Sequence, residues 1–71
     1  MSDPSIQERP PHQQRVIAER ESRSGELERL KAFFPTTVFA YLPSEDKGLL
    51  RAQAKCMEEL VKILDLRISR F

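Results

Sequence analysis

The stretch LLRAQAKCMEELVKILDLRISRF, residues 49–71, decides the fold because it carries an unbroken helical pattern of apolar side chains. Six of them recur at steps of three, four and seven residues, which places them on one face of an α-helix. These are Leu50, Met57, Leu60, Leu64, Ile68 and Phe71. Four others widen that stripe beyond the ~100° that a globular amphipathic helix needs. These are Leu49, Cys56, Ile63 and Leu66. A chain of 71 residues has little else to cover this surface, so the sequence predicts burial against further copies of itself.

The small size of the chain makes assembly the expected source of its stability. Chains below ~80 residues rarely bury a sufficient core unless they are cross-linked or assembled. The sequence has 1 cysteine, Cys56, which excludes an internal disulfide and a Cys-rich metal cluster. We expect Cys56 to be a small packing residue in a reducing compartment. The stripe itself is compatible with dimers, tetramers or hexamers.

The charge balance and the hydropathy narrow the function classes. Lys and Arg number 12 against 11 Asp and Glu, so no basic field predicts binding to DNA or RNA polymers. No apolar run approaches the ~20 residues of a membrane span, and residues 1–14 lack the apolar core of a secretory signal. We therefore expect a soluble, cytoplasmic protein with neither a membrane nor a nucleic-acid polymer as partner.

The helical patterns predict an all-α fold, an antiparallel two-helix hairpin over residues 12–71 that follows a polar segment, residues 1–11. The first helix is expected to start near Pro11, because a proline suits the first turn. It runs to about Phe34, because the residue before Pro35 disfavours the helical conformation.

Residues 36–43 form the predicted connection, which includes a short helical turn. Its apolar side chains are expected to fold back over the end of the hairpin; they are Val38, Phe39, Tyr41 and Leu42. The second helix is predicted from about Glu45 to Arg70, with Ser44 as its cap.

Residues 19–26 interrupt the apolar face of the first helix. They include no apolar side chain, and Gly25 disfavours the helix by ~1 kcal/mol relative to alanine. Glu19 stands four residues from both Arg15 and Arg23, a spacing that favours ion pairs on the helix surface. Such a polar section is either solvated or directed at a polar ligand.

No set of residues predicts catalysis. His12 is the 1 histidine and lies far in sequence from Cys56, so a nucleophile–base pair has no support. Two glycines, Gly25 and Gly48, do not make a phosphate-binding loop. Metal binding requires more ligands than one histidine and one cysteine supply. We expect a protein that is not an enzyme and that uses no metal or cofactor.

Arg67 is the first candidate for ligand binding. It stands between Leu64 and Ile68, beside the apolar stripe rather than opposite it. The planar guanidinium group suits phosphate oxygens and tolerates partial burial better than an ammonium group. The alternative is an arginine that extends to solvent at the helix end, where cations are favoured.

His12 and Arg15 are the second candidates, one turn apart at the start of the first helix. The first turn of a helix attracts anions, and an imidazole can stack on a base. The alternative is a solvated first turn. Lys31, near the end of the same helix, is a weaker candidate because basic residues are common there.

The ordered set of motifs resembles a family of small phage proteins over about residues 12–71. The motifs are His12-Gln13-Gln14-Arg15-Val16 with Leu27, Leu30 and Phe33, then Phe39-x-x-Leu42-Pro43-x-Glu45, Leu49-Leu50-x-x-Gln53-x-x-x-Met57 and Ile63-Leu64-x-x-Arg67-Ile68-x-x-Phe71. The family is that of the phage anti-CBASS sponges of the two-helix hairpin type. Its members sequester the cyclic oligonucleotide messengers of bacterial immunity without cleaving them.

The resemblance implies a fold, an assembly and a ligand. It implies a hexamer of hairpins in the infected host's cytoplasm, with cyclic dinucleotides bound between paired protomers and cyclic trinucleotides bound on threefold axes. Arg67 corresponds to the arginine that the family associates with trinucleotide phosphates. His12, Gln13 and Arg15 correspond to the start of the first helix, which contributes base and phosphate contacts.

Two positions depart from the family's pattern. Glu26 stands where the family often has a lysine that serves the dinucleotide site, so Arg23, Arg29 or Lys31 would have to supply that positive charge. Arg23 itself stands at a position that is usually apolar. A protein-binding hairpin that uses its spare apolar face is the alternative function.

Overall fold

The computed structural model describes residues 9–71, and three helices follow one another in this part of the chain. Helix α1 spans Pro11–Phe33, the short helix α2 spans Thr37–Ala40, and helix α3 spans Ser44–Ser69. The described residues include no strand, so the all-α prediction is confirmed. Residues 1–8 of the predicted polar segment lie outside the described residues.

Helices α1 and α3 pack against each other as an antiparallel pair. Two ion pairs between them show the direction, because Arg20 pairs with Asp65 and Lys31 pairs with Glu58. As the residue number rises along α1, the number of its partner on α3 falls. The predicted two-helix hairpin is thus present in a single chain.

The helix boundaries follow from prolines more closely than from capping side chains. Pro11 is the first residue of α1, and α1 ends before Pro35. Pro43 is the N-cap of α3 with an extended backbone, and its carbonyl oxygen accepts a hydrogen bond from the amide of Lys47 at 3.0 Å. The prediction that Ser44 caps this helix is wrong, because the fixed φ of proline places the boundary one residue earlier and makes Ser44 the first helical residue.

The connection between the long helices is built around Phe39, which is buried. Its ring lies 5.7 Å from that of Phe33 and 5.1 Å from that of Phe34, and the guanidinium carbon of Arg51 lies 5.2 Å from its centre. Thr36 is the N-cap of α2, since its hydroxyl accepts a hydrogen bond from the backbone amide of Phe39 at 3.2 Å.

The other apolar side chains of the connection behave differently from the expectation. Val38 and Tyr41 are 65% and 84% exposed, so the prediction that they fold over the hairpin end is wrong for these two. One aromatic ring, Phe39, is enough to fill the space that two helix ends enclose, and a four-residue helix directs its remaining side chains outward.

The core of a single hairpin is small. The buried apolar residues are Val16, Leu27, Phe39, Ala54 and Leu64, of which Leu64 is the largest with its side chain fully covered. The set that widens the stripe on α3 remains uncovered within one chain. Leu49, Ile63 and Leu66 are 69%, 52% and 66% exposed, and Cys56 is exposed too. We refer to these four residues as the exposed stripe.

Candidate functional site

An open pocket of about 380 Å³ lies where the start of α1 meets the end of α3. Four residues of α1 and one of α3 line it: His12, Arg15, Val16, Glu19 and Arg67. Its volume falls in the range of about 300–1,000 Å³ that is typical of small-molecule sites. Val16 is buried and supplies apolar surface, whereas the other four side chains supply polar or charged groups.

The pocket follows from helical spacing and from the antiparallel hairpin. His12, Arg15 and Glu19 are separated by three and four residues, so they lie on the same face of α1. The hairpin returns the end of α3 to the start of α1, which places Arg67 beside them. Residues from the two ends of the described chain therefore meet in one site.

The two edges along which α1 and α3 meet differ in charge pairing. Successive helical residues are rotated by about 100°, so Asp65 lies to one side of the buried Leu64 and Ile63 lies to the other. The paired edge carries the ion pairs Arg20–Asp65, at 2.7 Å, and Lys31–Glu58, at 3.8 Å. The open edge carries the pocket residues His12, Arg15, Glu19 and Arg67. Ile63 precedes Arg67 by four residues and therefore lies on the same side of α3.

Charged groups of the open edge have no ion-pair partner among residues 9–71. Arg15, Glu19 and Arg67 belong to no salt bridge within this range, and all three are exposed. The expected pairs of Glu19 with Arg15 and Arg23 do not form; Arg23 donates to Glu26 instead, at 3.1 Å. Two guanidinium groups with unused donors are thus available to an anion in this pocket.

On the paired edge, the guanidinium group of Arg20 is bound by a carboxylate of the same chain, Asp65. A side-chain hydrogen bond from Arg20 to Asp65, together with their opposite charges, raises the pKa of Arg20. Arg20 is therefore already satisfied by a carboxylate of α3. The pocket arginines, Arg15 and Arg67, have no equivalent carboxylate partner within residues 9–71.

The structure separates two predicted site residues from this pocket. Gln13 does not line the pocket. Its backbone N–H donates to the carbonyl oxygen of Pro10 at 3.0 Å in the first turn of α1. Lys31 lies about 24 Å from Arg15 along α1 and on the paired edge, where it faces Glu58. Their roles in ligand binding stay predictions, whereas His12, Arg15 and Arg67 meet within one chain.

Two of the three residues that were expected to supply a positive charge in place of Glu26 already form ion pairs. Arg23 holds Glu26 itself through bonds of 3.1 and 3.3 Å, and Lys31 faces Glu58. Arg29 is the remaining candidate; its guanidinium group lies near Gly25, where a Cβ would stand 3.6 Å from it. Arg29 enters no salt bridge within residues 9–71.

Two lining residues, Val16 and Glu19, were absent from the predicted site. Val16 belongs to the buried core as well as to the pocket lining. Glu19 was interpreted as a partner for neighbouring arginines because of its spacing. The same spacing of three and four residues that places His12 and Arg15 on one face of α1 also places Glu19 there. Helical periodicity could therefore have predicted Glu19 as a member of the site.

Neither a metal cluster nor a membrane span is found within residues 9–71. No three side chains of the metal-binding types His, Cys, Asp and Glu come together in this range. None of its helices has the length and apolar character needed to cross a bilayer.

Comparison with known proteins gives one match. The family model described as Sequestin matches residues 10–70, which includes both long helices and every residue that lines the pocket. No curated protein and no solved structure matches the chain. Since the match extends over most of its length, the chain belongs to the Sequestin family.

Proposed function

We propose that this protein binds cyclic oligonucleotide second messengers and sequesters them without cleavage, so that bacterial CBASS immunity against phage is blocked. The observation that carries the proposal is the pocket that Arg15 and Arg67 line together, neither of them in a salt bridge with a carboxylate of residues 9–71. Charge-assisted bonds from guanidinium groups to phosphate oxygens would supply much of the affinity. The name of the Sequestin family agrees with a sequestering role.

The remaining lining residues suit the other parts of a nucleotide. The imidazole of His12 offers a flat ring on which a base can stack, and Val16 offers apolar surface beneath it. One chain leaves the pocket open, so a ligand is only partly enclosed. Since buried ligands hide about 70–90% of their surface, we propose that assembly of several copies, a hexamer by the family resemblance, completes the site.

Isothermal titration calorimetry of the purified protein against a panel of cyclic di- and trinucleotides tests this proposal. We expect saturable binding of at least one cyclic nucleotide at micromolar protein, with the ligand recovered intact after the protein is denatured. Linear dinucleotides of the same bases serve as controls. An absence of heat with every cyclic nucleotide would contradict the proposal, and recovery of a cleaved ligand would contradict sequestration.

A second candidate function rests on the exposed stripe. Leu49, Ile63 and Leu66 of α3 are each more than half exposed. Exposed apolar patches are typical of interaction sites when they are large. In this alternative the hairpin binds a host or phage protein through that face. A chain that self-associates and binds cyclic nucleotides, but that captures no protein, would exclude it.

A further inference from the structure

Glu19 is the one carboxylate among the five residues that line the pocket. It is exposed, and it forms no salt bridge within residues 9–71 although Arg15 and Arg23 each stand four residues away. A carboxylate beside two guanidinium groups disfavours an approaching phosphate. A ligand that gains from Glu19 must therefore present hydrogen-bond donors close to its phosphates.

The base edges of nucleotides differ in whether they meet this requirement. An ionised carboxylate has two acceptor oxygens and no donor. Guanine presents two adjacent donors on its Watson–Crick edge, N1–H and the N2 amino group, which match the two oxygens. Adenine presents the acceptor N1 beside its N6 amino group, and uracil flanks its N3–H with two carbonyl oxygens. Either base would direct an oxygen or nitrogen lone pair at the carboxylate.

We propose that Glu19 selects guanine, so that the preferred ligands are guanine-containing cyclic oligonucleotides. Glu19 accepts the N1–H and N2–H bonds of the base, while Arg15 and Arg67 hold the phosphate groups of the same ligand. This assignment rests on the proposed function and adds the identity of the base to it. Sites built to hydrogen-bond one partner reject analogues that lack the matching groups.

A charge-balancing role is the competing explanation for the same carboxylate. In that case Glu19 moderates the repulsion between the two arginines and contacts no base. Its removal would then strengthen the binding of every anionic ligand to a similar degree. Selectivity between bases, rather than affinity alone, separates the two roles.

Calorimetric titration of the wild-type protein and of Glu19→Gln with the cyclic trinucleotides of guanosine, adenosine and inosine (cyclic tri-GMP, cyclic tri-AMP and cyclic tri-IMP) tests the proposal, because Arg67 is the residue that the family resemblance associates with trinucleotide phosphates. The glutamine keeps the shape of the side chain but replaces one acceptor oxygen with a donor, which suits adenine and opposes guanine. Glu28→Gln is the matched control, because Glu28 is also exposed on α1 and lies outside the pocket lining.

We expect the wild-type protein to bind cyclic tri-GMP more tightly than cyclic tri-AMP, and to bind cyclic tri-IMP, which lacks the N2 amino group, about tenfold more weakly than cyclic tri-GMP. Glu19→Gln should weaken the binding of cyclic tri-GMP by about 10- to 100-fold and strengthen the binding of cyclic tri-AMP. Equal strengthening of both ligands overturns the base-selection role, as does equal wild-type affinity for cyclic tri-GMP and cyclic tri-IMP. A wild-type protein that binds no cyclic nucleotide overturns the proposed function itself.

Discussion

The two edges of the hairpin use the same residue types for opposite purposes. On the paired edge, Arg20 and Lys31 face Asp65 and Glu58, so the positive charges of α1 are satisfied by carboxylates of α3. On the open edge, Arg15 and Glu19 of α1 face Arg67 of α3, and none of these three has an ion-pair partner within residues 9–71. We propose that these two unmatched arginines, Arg15 and Arg67, are the groups that contact the ligand.

Removal of Arg67 is expected to have the largest effect on function. Arg67→Ala should reduce the affinity for cyclic trinucleotides by 100-fold or more, about 3 kcal/mol, because a charge-assisted and bidentate phosphate contact is lost. Calorimetry measures the affinity and size-exclusion chromatography measures the assembly, which should not change. Arg70→Ala is the control, since Arg70 is an exposed cation at the same helix end and lies outside the pocket lining. Dissociation of the Arg67→Ala assembly would show that Arg67 is structural.

Truncation of the core should affect stability most. Leu64 is 1% exposed and is the largest fully buried side chain, so Leu64→Ala should lower the free energy of unfolding by about 2–5 kcal/mol. Denaturation followed by far-UV circular dichroism measures the change. Val38→Ala is the control, since Val38 is 65% exposed and lies outside the exposed stripe, and it should leave the stability almost unchanged. Equal losses at the two positions would contradict the described burial.

The exposed stripe is expected to hold copies together along the open edge. Ile63→Glu should lower the mass measured by light scattering, because a carboxylate placed in an apolar interface loses its hydration. Lys55→Glu is the control, since Lys55 is exposed on α3 outside the stripe. An unchanged mass for Ile63→Glu, or a monomeric wild-type protein, would contradict assembly through this face.

Glycine at position 25 weakens α1 within its polar section. Gly25→Ala should raise the free energy of unfolding by about 1 kcal/mol, because alanine has the higher helix propensity and its Cβ would meet Arg29 at an ordinary contact distance of 3.6 Å. The thermal midpoint measures this gain. A lower midpoint would indicate that Gly25 allows a close approach by another copy or by a ligand.

The ion pairs of the paired edge should contribute least. Asp65→Asn should lower the thermal midpoint slightly, by less than Leu64→Ala does, and added salt should reduce the difference. The hydrogen bond to Asp65 raises the pKa of Arg20. The stabilisation that this ion pair provides is therefore present while the pH is below the pKa of Arg20, and it is lost only as the pH rises through that pKa. The difference in thermal midpoint between the wild-type protein and Asp65→Asn should therefore be the same at about pH 6 and about pH 9. A difference that disappears at about pH 9 would contradict the assignment.

The sequence predicted the helices well because prolines and apolar periodicity set them locally. Pro11, Pro35 and Pro43 mark boundaries that depend on a single ring and its fixed φ. The exposure of Tyr41 was not predictable in the same way, because composition does not determine which apolar side chain of a short connection fills the space between two helix ends.

The site was predictable in part, for a different physical reason. His12 and Arg15 follow from helical spacing, but their meeting with Arg67 depends on the register of the hairpin, which a single helix pattern does not contain. Glu19 was interpreted through its neighbours four residues away. Long, flexible side chains choose among several partners of similar energy, so spacing alone does not determine which ion pairs form.

The most direct test of the account is an NMR titration that observes the arginine Nε–Hε groups while a cyclic oligonucleotide is added. We predict saturable shifts for Arg15 and Arg67 on the open edge, with Arg20 on the paired edge unchanged. Shifts confined to Arg20, or a titration in which Arg67 does not respond to a bound cyclic nucleotide, would contradict the claim that the open edge is the ligand site.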